Sequence, residues 1–102
     1  MSVKRYTWNR EKNQQLKARR DISFEEVLIH IASGDVLDIV EHRNQEKYEG
    51  QRIFIIRIHD YAWLVPFVET ETEIFLKTIM PSRKATAQYL RGGKSNDALT
   101  RK

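Results

Sequence analysis

The chain has 102 residues, of which 40% are hydrophobic and 31% are charged, and it contains no cysteine. This length and composition are typical of one globular domain, and they exclude a disulfide framework and a thiolate metal site. No apolar run approaches the ~20 residues of a membrane-spanning helix, and the N-terminus lacks the apolar core of a secretory signal. We therefore expect a cytoplasmic protein that does not enter a membrane.

The formal net charge of +4 hides an uneven distribution of charge along the chain. Residues 1–20 carry seven Lys or Arg against one acid, and residues 83–102 carry six against one. Residues 21–82, in contrast, carry five against twelve. If the two ends meet in space, they form one basic face on an acidic body, and such a face attracts polyanions. The alternative is that both ends are solvated segments that improve solubility.

The first third of the chain predicts a short strand and two helices. Residues 3–8 alternate weakly, as a strand does, and Asn9 is a candidate N-cap for a helix that ends near residue 20. A second helix begins at Ser23, which forms a capping box with Glu26. In such a box, each side chain accepts a hydrogen bond from the backbone N–H of the other residue.

The rest of the chain predicts a sheet followed by a last helix. The predicted strands are residues 36–40, 52–59, 62–68 and 74–79, and the last helix runs from residue 82 to about residue 90. Residues 52–59 are apolar on both faces, as a central strand is, while Pro66 indicates a sheet edge or a bulge. A tight turn is expected at Asp60-Tyr61.

The order β-α-α-β-β-β-β-α predicts an α+β domain with a mainly antiparallel sheet and its helices on one face. We expect this domain to cover residues 1–90. Residues 91–102 contain Gly-Gly and few apolar groups, and they predict a flexible basic tail.

The junction of the last strand and the last helix predicts an anion site. The strand ends at Pro81, the helix opens on Ser82, and Arg83 and Lys84 follow in its first turn. Unpaired backbone N–H groups and the helix dipole favour anions at this end, where cations do not stabilise the helix. Phosphate is therefore the candidate ligand. The alternative is that both cations are solvated.

Several short motifs, taken together, resemble a known family. Their order is W-x-x-x-K-N from Trp8, I-S-F-E-E from Ile22, Tyr48 with Gly50, and I-x-P-S-R-K-A-T from Ile79. This order and spacing resemble the BrnT toxins, a branch of the RelE-like toxins of bacterial toxin–antitoxin pairs. The resemblance covers roughly residues 6–90.

The resemblance implies a RelE-like fold and a metal-independent endoribonuclease that cleaves messenger RNA without a cofactor. It also implies a cognate antitoxin, commonly a ribbon-helix-helix DNA-binding protein, and a possible toxin–antitoxin heterotetramer. Two other functions remain open on the residues alone. One is a non-catalytic nucleic-acid-binding module, and the other is an interaction subunit whose basic ends dock an acidic partner.

RelE-like enzymes use mostly Arg, Lys and Tyr, which stabilise the developing charge and move protons. The candidate catalytic residues are Arg83, Lys84, Lys77, Tyr89, Arg57 and His59. The candidate RNA-binding residues on the first helix are Arg10, Lys12, Lys17, Arg19 and Arg20.

Each catalytic candidate also has a structural interpretation. Lys77 can simply mark the exposed face of the sheet, Tyr89 can anchor the last helix, and Arg57 can pair with Glu69 or Glu71. Histidine chemistry and metal binding have less support. His30 is expected at the surface, and the three histidines are scattered without a ligand pair, so we expect no metal site.

Overall fold

The computed structural model describes residues 4–91, which form three helices and one mixed sheet of six strands. In chain order the elements are β1 (Arg5–Trp8), α1 (Arg10–Arg20), α2 (Phe24–Ala32), β2 (Val36–Glu41), β3 (Gln51–Ile58), β4 (Tyr61–Glu69), β5 (Glu73–Leu76), β6 (Met80–Pro81) and α3 (Arg83–Leu90). The predicted α+β class is confirmed. Most of the predicted tail, residues 92–102, lies outside the described residues, as does the start of the predicted first strand.

The sheet has the strand order β1-β5-β4-β3-β2, and the short β6 pairs with β4. Strand β1 lies parallel to β5, and every other pairing is antiparallel. The prediction of a mainly antiparallel sheet is therefore confirmed. The parallel strand at the edge was not predicted.

The helices cover both faces of the sheet. On the first face, α1 and α2 pack through Leu16, Phe24 and Val27 into a core that includes Phe54 and Ile56 of β3. On the second face, α3 packs in a smaller cluster that contains Ala85, Ile55 and Ala62. The prediction that all helices lie on one face is wrong. Because β3 is apolar on both faces, both faces need a covering layer.

The strand predicted over residues 74–79 is divided in the structure. Strand β5 ends at Leu76, and the backbone N–H of Lys77 then donates to the carbonyl of Pro66 at 2.8 Å. In an antiparallel strand, the N–H and C=O of one residue face the same neighbour, and proline has no N–H. The ladder therefore breaks opposite Pro66. Of the two alternatives that Pro66 indicates, a sheet edge is wrong, because β4 lies between β5 and β3.

The turn between β3 and β4 consists of His59 and Asp60, one residue earlier than predicted. Both have positive φ angles, of 54° and 63°. Two such residues make a type I′ turn, which favours Asn-Gly. His and Asp also tolerate this conformation better than most side chains. The imidazole of His59 therefore projects from the tip of a tight hairpin.

Candidate functional sites

Helix α3 begins where the sequence predicts, on an N-cap that fastens it to the sheet. The hydroxyl of Ser82 accepts a hydrogen bond from the N–H of Ala85 at 3.0 Å. The backbone N–H of Ser82 donates to the carbonyl of Ala62 in β4, and Thr86 accepts a hydrogen bond from the N–H of Ala62. These contacts leave the exposed Arg83 in the first turn of a fixed helix.

A cleft of about 310 Å³ lies beside α3 on the second face of the sheet, and we call it the α3 cleft. Val40, Ile53, Ile55 and Leu64 from three strands contribute apolar surface. The polar part of the lining consists of Arg43, Ser82, Lys84, Gln88 and Tyr89. The cleft therefore combines an apolar surface with two cations. Among residues 4–91, the ion pairs involve neither Arg43 nor Lys84.

Tyr89 is held in place by a strand of the sheet. Its hydroxyl donates to Oδ2 of Asp38 at 2.6 Å. Burial and the adjacent Asp38 carboxylate raise the pKa of the phenol to about 12. The phenol is therefore protonated near neutral pH and already engaged as a donor. This geometry favours the anchor interpretation of Tyr89 over proton transfer.

Five residues at the end of β3 form a second group, which we call the histidine cluster: His30, Asp35, Arg57, His59 and Glu26. The Nδ1 of His30 lies 2.8 Å from Oδ2 of Asp35, and Nη2 of Arg57 lies 3.4 Å from Oδ1 of the same carboxylate. The Nε2 of His59 lies 3.1 Å from Oε2 of Glu26. The two imidazole rings are 6.3 Å apart, centre to centre, and nearly perpendicular.

The histidine cluster corrects two predictions. Arg57 pairs with Asp35 and not with Glu69 or Glu71, because the register places Arg57 opposite Ala62, at the other end of β4 from these two acids. Glu69 is instead bound by Lys4 and Arg52. His30 is not a free surface residue, since only 22% of its side chain is exposed and its ring is bonded to Asp35. The hydrogen bond from His30, together with Arg57, holds the pKa of Asp35 below its ordinary value.

The cations of α1 divide between two flanks of the helix. Arg10 and Lys17 lie on one flank, and Lys17 is 4.0 Å from Glu25. The other flank carries Lys12, Arg19 and Arg20 next to Thr78. Among residues 4–91, α1 and α3 lie on opposite faces of the sheet, so the cations of these two helices do not form the single basic face that is expected if the two ends meet.

The two basic segments nevertheless approach each other at one edge of the sheet. Nη1 of Arg20 donates to the carbonyl of Ile79 at 3.0 Å, in the segment that leads through β6 to Ser82. Lys77 is exposed at the start of the same segment, and it is not among the residues that line the α3 cleft. Arg20, Lys77 and Arg83 thus place positive charge along this edge, between the end of α1 and the start of α3.

The six catalytic candidates therefore fall into separate groups. Lys84 and Tyr89 line the α3 cleft, Arg83 is beside it on α3, Lys77 is at the sheet edge, and Arg57 and His59 belong to the histidine cluster. Sequence reasoning missed Arg43, Asp35 and Glu26 as site residues. Glu26 and His30 are four residues apart on one helix and so share a face, which is a signal that the sequence did contain. Arg43 lies in a polar loop, and only the folded sheet places it at the cleft.

Comparison of the chain with protein-family models, with curated proteins and with solved structures found no match. Within residues 4–91, no helix has the length and apolar character needed to cross a membrane. In the same part of the chain, no three His, Asp or Glu side chains are grouped to hold a metal ion.

Proposed function

We propose that this chain is the toxin of a type II toxin–antitoxin pair, similar to the BrnT branch of the RelE-like toxins. It acts as a metal-independent endoribonuclease on messenger RNA in the cytoplasm. A cognate antitoxin, of the ribbon-helix-helix kind, neutralises it in a heterotetramer. The motifs from Trp8 to Thr86 support the family, and the α3 cleft is the observation that carries RNA binding.

The α3 cleft suits single-stranded RNA because it offers both kinds of contact that such a strand needs. Its apolar surface can receive a base, and cations at its edge can hold the phosphates on either side of that base. Lys84 and Arg43 are in the lining, and Arg83 is exposed in the same helical turn as Lys84. The start of α3 adds the favourable end of the helix dipole.

A second candidate function is RNA binding without cleavage. It is favoured by the lining of the α3 cleft, which includes no histidine and no carboxylate among the described residues. The phenol of Tyr89 is already bonded to Asp38. Cleavage therefore needs proton-transfer groups from outside this cleft. A docking subunit without RNA affinity is the third candidate, since the basic segments alone fit an acidic partner.

The toxin function is tested by inducing the chain in a bacterial host without an antitoxin. We expect growth arrest with the native chain. The double variant Arg83→Ala/Lys84→Ala is expected to abolish the arrest, because it removes two phosphate contacts. It should remain folded, since cations in the first turn do not stabilise a helix. Circular dichroism of the purified variant checks the fold.

A matched control is Arg5→Ala/Lys47→Ala, which removes the same charge from β1 and from the loop between β2 and β3. This control should arrest growth as the native chain does. A native chain that never arrests growth contradicts the toxin function and favours the binding module. A folded Arg83→Ala/Lys84→Ala variant that still arrests growth contradicts the role of the α3 cleft.

A further inference from the structure

The histidine cluster has the composition of an acid–base centre. His30 and Glu26 belong to α2 on the first face of the sheet, and His59, at the hairpin, lies next to the C-terminal end of α3 on the second face. Helix α3 has eight residues, so it is about 12 Å long. Its first turn borders the α3 cleft, and just past its end Nη1 of Arg91 lies 3.9 Å from the carboxylate of Asp60, next to His59. The start of α3 and His59 are thus about one short helix apart, and an RNA strand between the α3 cleft and His30 passes around the hairpin end of the sheet.

We propose that His30 and His59 are the general base and general acid for cleavage of an RNA phosphodiester, with the α3 cleft holding the neighbouring nucleotides. This inference rests on the proposed ribonuclease function. It adds the catalytic residues that the α3 cleft itself lacks. It also gives a role to His30, which the sequence placed at the surface.

The hydrogen bonds of the two rings determine which nitrogen of each is available. An ionised carboxylate only accepts hydrogen bonds, so Nδ1 of His30 donates to Asp35 and Nε2 of His59 donates to Glu26. That leaves Nε2 of His30 and Nδ1 of His59 for the substrate. A carboxylate that fixes the tautomer and orientation of an imidazole is a recurrent device in proton-transfer catalysis.

The reaction is an in-line transfer at phosphorus. Nε2 of His30 takes the proton of the 2′-hydroxyl, the 2′-oxygen bonds to phosphorus, and the bond from phosphorus to the 5′-oxygen breaks. The protonated His59 gives its Nδ1 proton to that leaving oxygen. The products are a 2′,3′-cyclic phosphate and a 5′-hydroxyl, and the two imidazoles have exchanged protonation states.

The spacing and charge of the cluster fit this reaction. The attacking and leaving oxygens lie on opposite sides of the phosphorus, so the two imidazoles must stand several ångströms apart, as their 6.3 Å separation allows. The side chain of Arg57 is 52% exposed beside Asp35, and it can stabilise charge on the phosphoryl oxygens. His59 is 80% exposed at the turn and is open to the substrate.

The test is steady-state cleavage of a short single-stranded RNA by His59→Gly and by His30→Gln. Glycine suits the positive φ of residue 59, and glutamine is an uncharged side chain of similar size that cannot act as a general base. We expect kcat to fall about 10²–10⁴-fold in each variant, which is the usual contribution of a general acid or base. KM should change little. Arg83→Ala/Lys84→Ala should instead raise KM. The control Arg5→Ala/Lys47→Ala lies outside the α3 cleft and the histidine cluster, and it should retain the native kcat.

Two further readouts separate catalysis from a structural role. The native kcat should have a bell-shaped pH dependence, and each variant should lose one limb. The charged groups bonded to the two rings are Glu26 from α2 and Asp35 before β2. Arg57 from β3 pairs with the same Asp35, and Asp60 pairs with Arg91 next to His59 in the chain. Added imidazole should restore part of the kcat of His59→Gly, because the vacated position is exposed.

Three results overturn the inference. The first is cleavage at the native rate by the folded His59→Gly and His30→Gln variants. That result leaves the proposed ribonuclease function standing. The second is a low kcat in His59→Gly that imidazole does not restore while the bell-shaped profile persists, which indicates a structural role for the ring. The third is a native chain that does not cleave RNA, which removes the proposed function as well. If His30→Gln does not fold, His59→Gly and its rescue by imidazole decide the question.

Discussion

At the scale of single residues, the contacts of Tyr89 favour one of the two roles that the sequence leaves open. The sequence permits either proton transfer or anchoring. In the structure, the phenol donates to Asp38 at 2.6 Å and packs with the cluster that contains Ala85. A side chain that is already bonded on the sheet holds α3 in place and thereby shapes the α3 cleft.

We therefore predict that Tyr89→Phe lowers stability and leaves the chemistry intact. Losing a hydrogen bond to a charged group costs about 1.5–3 kcal/mol, and partial exposure of this pair places the expected loss at the lower end. Because the raised pKa belongs to the folded state, the phenol contributes stability fully below pH 10, and this contribution is lost as the pH rises through about 12.

Urea unfolding at pH 7 and at pH 11 measures this prediction, and RNA cleavage per folded molecule is measured alongside. The difference in unfolding free energy between the native chain and Tyr89→Phe should shrink at the higher pH. If Tyr89→Phe unfolds like the native chain but its kcat falls 100-fold, the phenol transfers protons and our assignment is wrong.

At the scale of elements, α2 begins where the sequence predicts but is capped differently. Ser23 accepts a hydrogen bond from the N–H of Glu26 at 3.1 Å, which is half of the predicted capping box. The carboxylate of Glu26 contacts His59 instead of completing the box. The buried Asn13 of α1 accepts a hydrogen bond from the N–H of Phe24 at 2.8 Å and donates to Glu25.

These contacts predict an order of stability losses. Ser23→Ala removes an N-cap and should cost about 1 kcal/mol. Asn13→Ala should cost more, since it leaves the buried N–H of Phe24 without a partner, which alone costs about 1–3 kcal/mol. Chemical denaturation of both variants gives the two values. The opposite order would show that α2 does not depend on Asn13 for its start.

RNA cleavage per folded molecule should be unchanged in Ser23→Ala. The hydroxyl of Ser23 is bonded to the backbone N–H of Glu26, whereas Glu26 takes part in the histidine cluster through its carboxylate. This makes Ser23→Ala a suitable control for loss of stability without loss of a catalytic side chain.

The elements also show where sequence reasoning succeeds. The N-caps at Asn9, Ser23 and Ser82 are local signals, and each side chain accepts the expected backbone hydrogen bond. The break in the strand pairing after Leu76 depends on Pro66 in another strand, so the sequence of residues 74–79 alone does not predict it. The second face of the sheet could have been inferred, because the central strand is apolar on both sides.

The candidate sites show the same difference between local signals and contacts of residues far apart in the sequence. The start of α3, with Arg83 and Lys84, is contiguous in sequence and was predicted. The histidine cluster joins residues that are up to 33 positions apart, as His59 and Glu26 are. Which carboxylate meets which ring depends on the docking of α2 on β3, which the sequence pattern does not show. It also depends on the position of the turn, which the sequence predicts one residue too late.

At the scale of the whole molecule, the cations of residues 4–91 give the sheet a basic edge rather than a basic face. Arg20 of α1 lies at this edge, where it donates to the carbonyl of Ile79. Lys77 and Arg83 add further cations between this point and the α3 cleft. Under the proposed function, a single-stranded RNA that follows this edge reaches the α3 cleft and then, past the end of α3, the histidine cluster. In that arrangement its phosphates stay outside a body whose central segment is acidic.

The central claim is that this surface binds and cleaves RNA, and the most direct measurement is cleavage of a labelled single-stranded RNA in the presence of EDTA. The native chain should release fragments that end in a 2′,3′-cyclic phosphate and a 5′-hydroxyl. Arg83→Ala/Lys84→Ala should lower kcat/KM at least about 100-fold, since contacts to charged groups contribute about 1.5–3 kcal/mol each. Its thermal unfolding should match that of the native chain. Intact RNA with the native chain, or equal cleavage by the folded double variant, would contradict the claim.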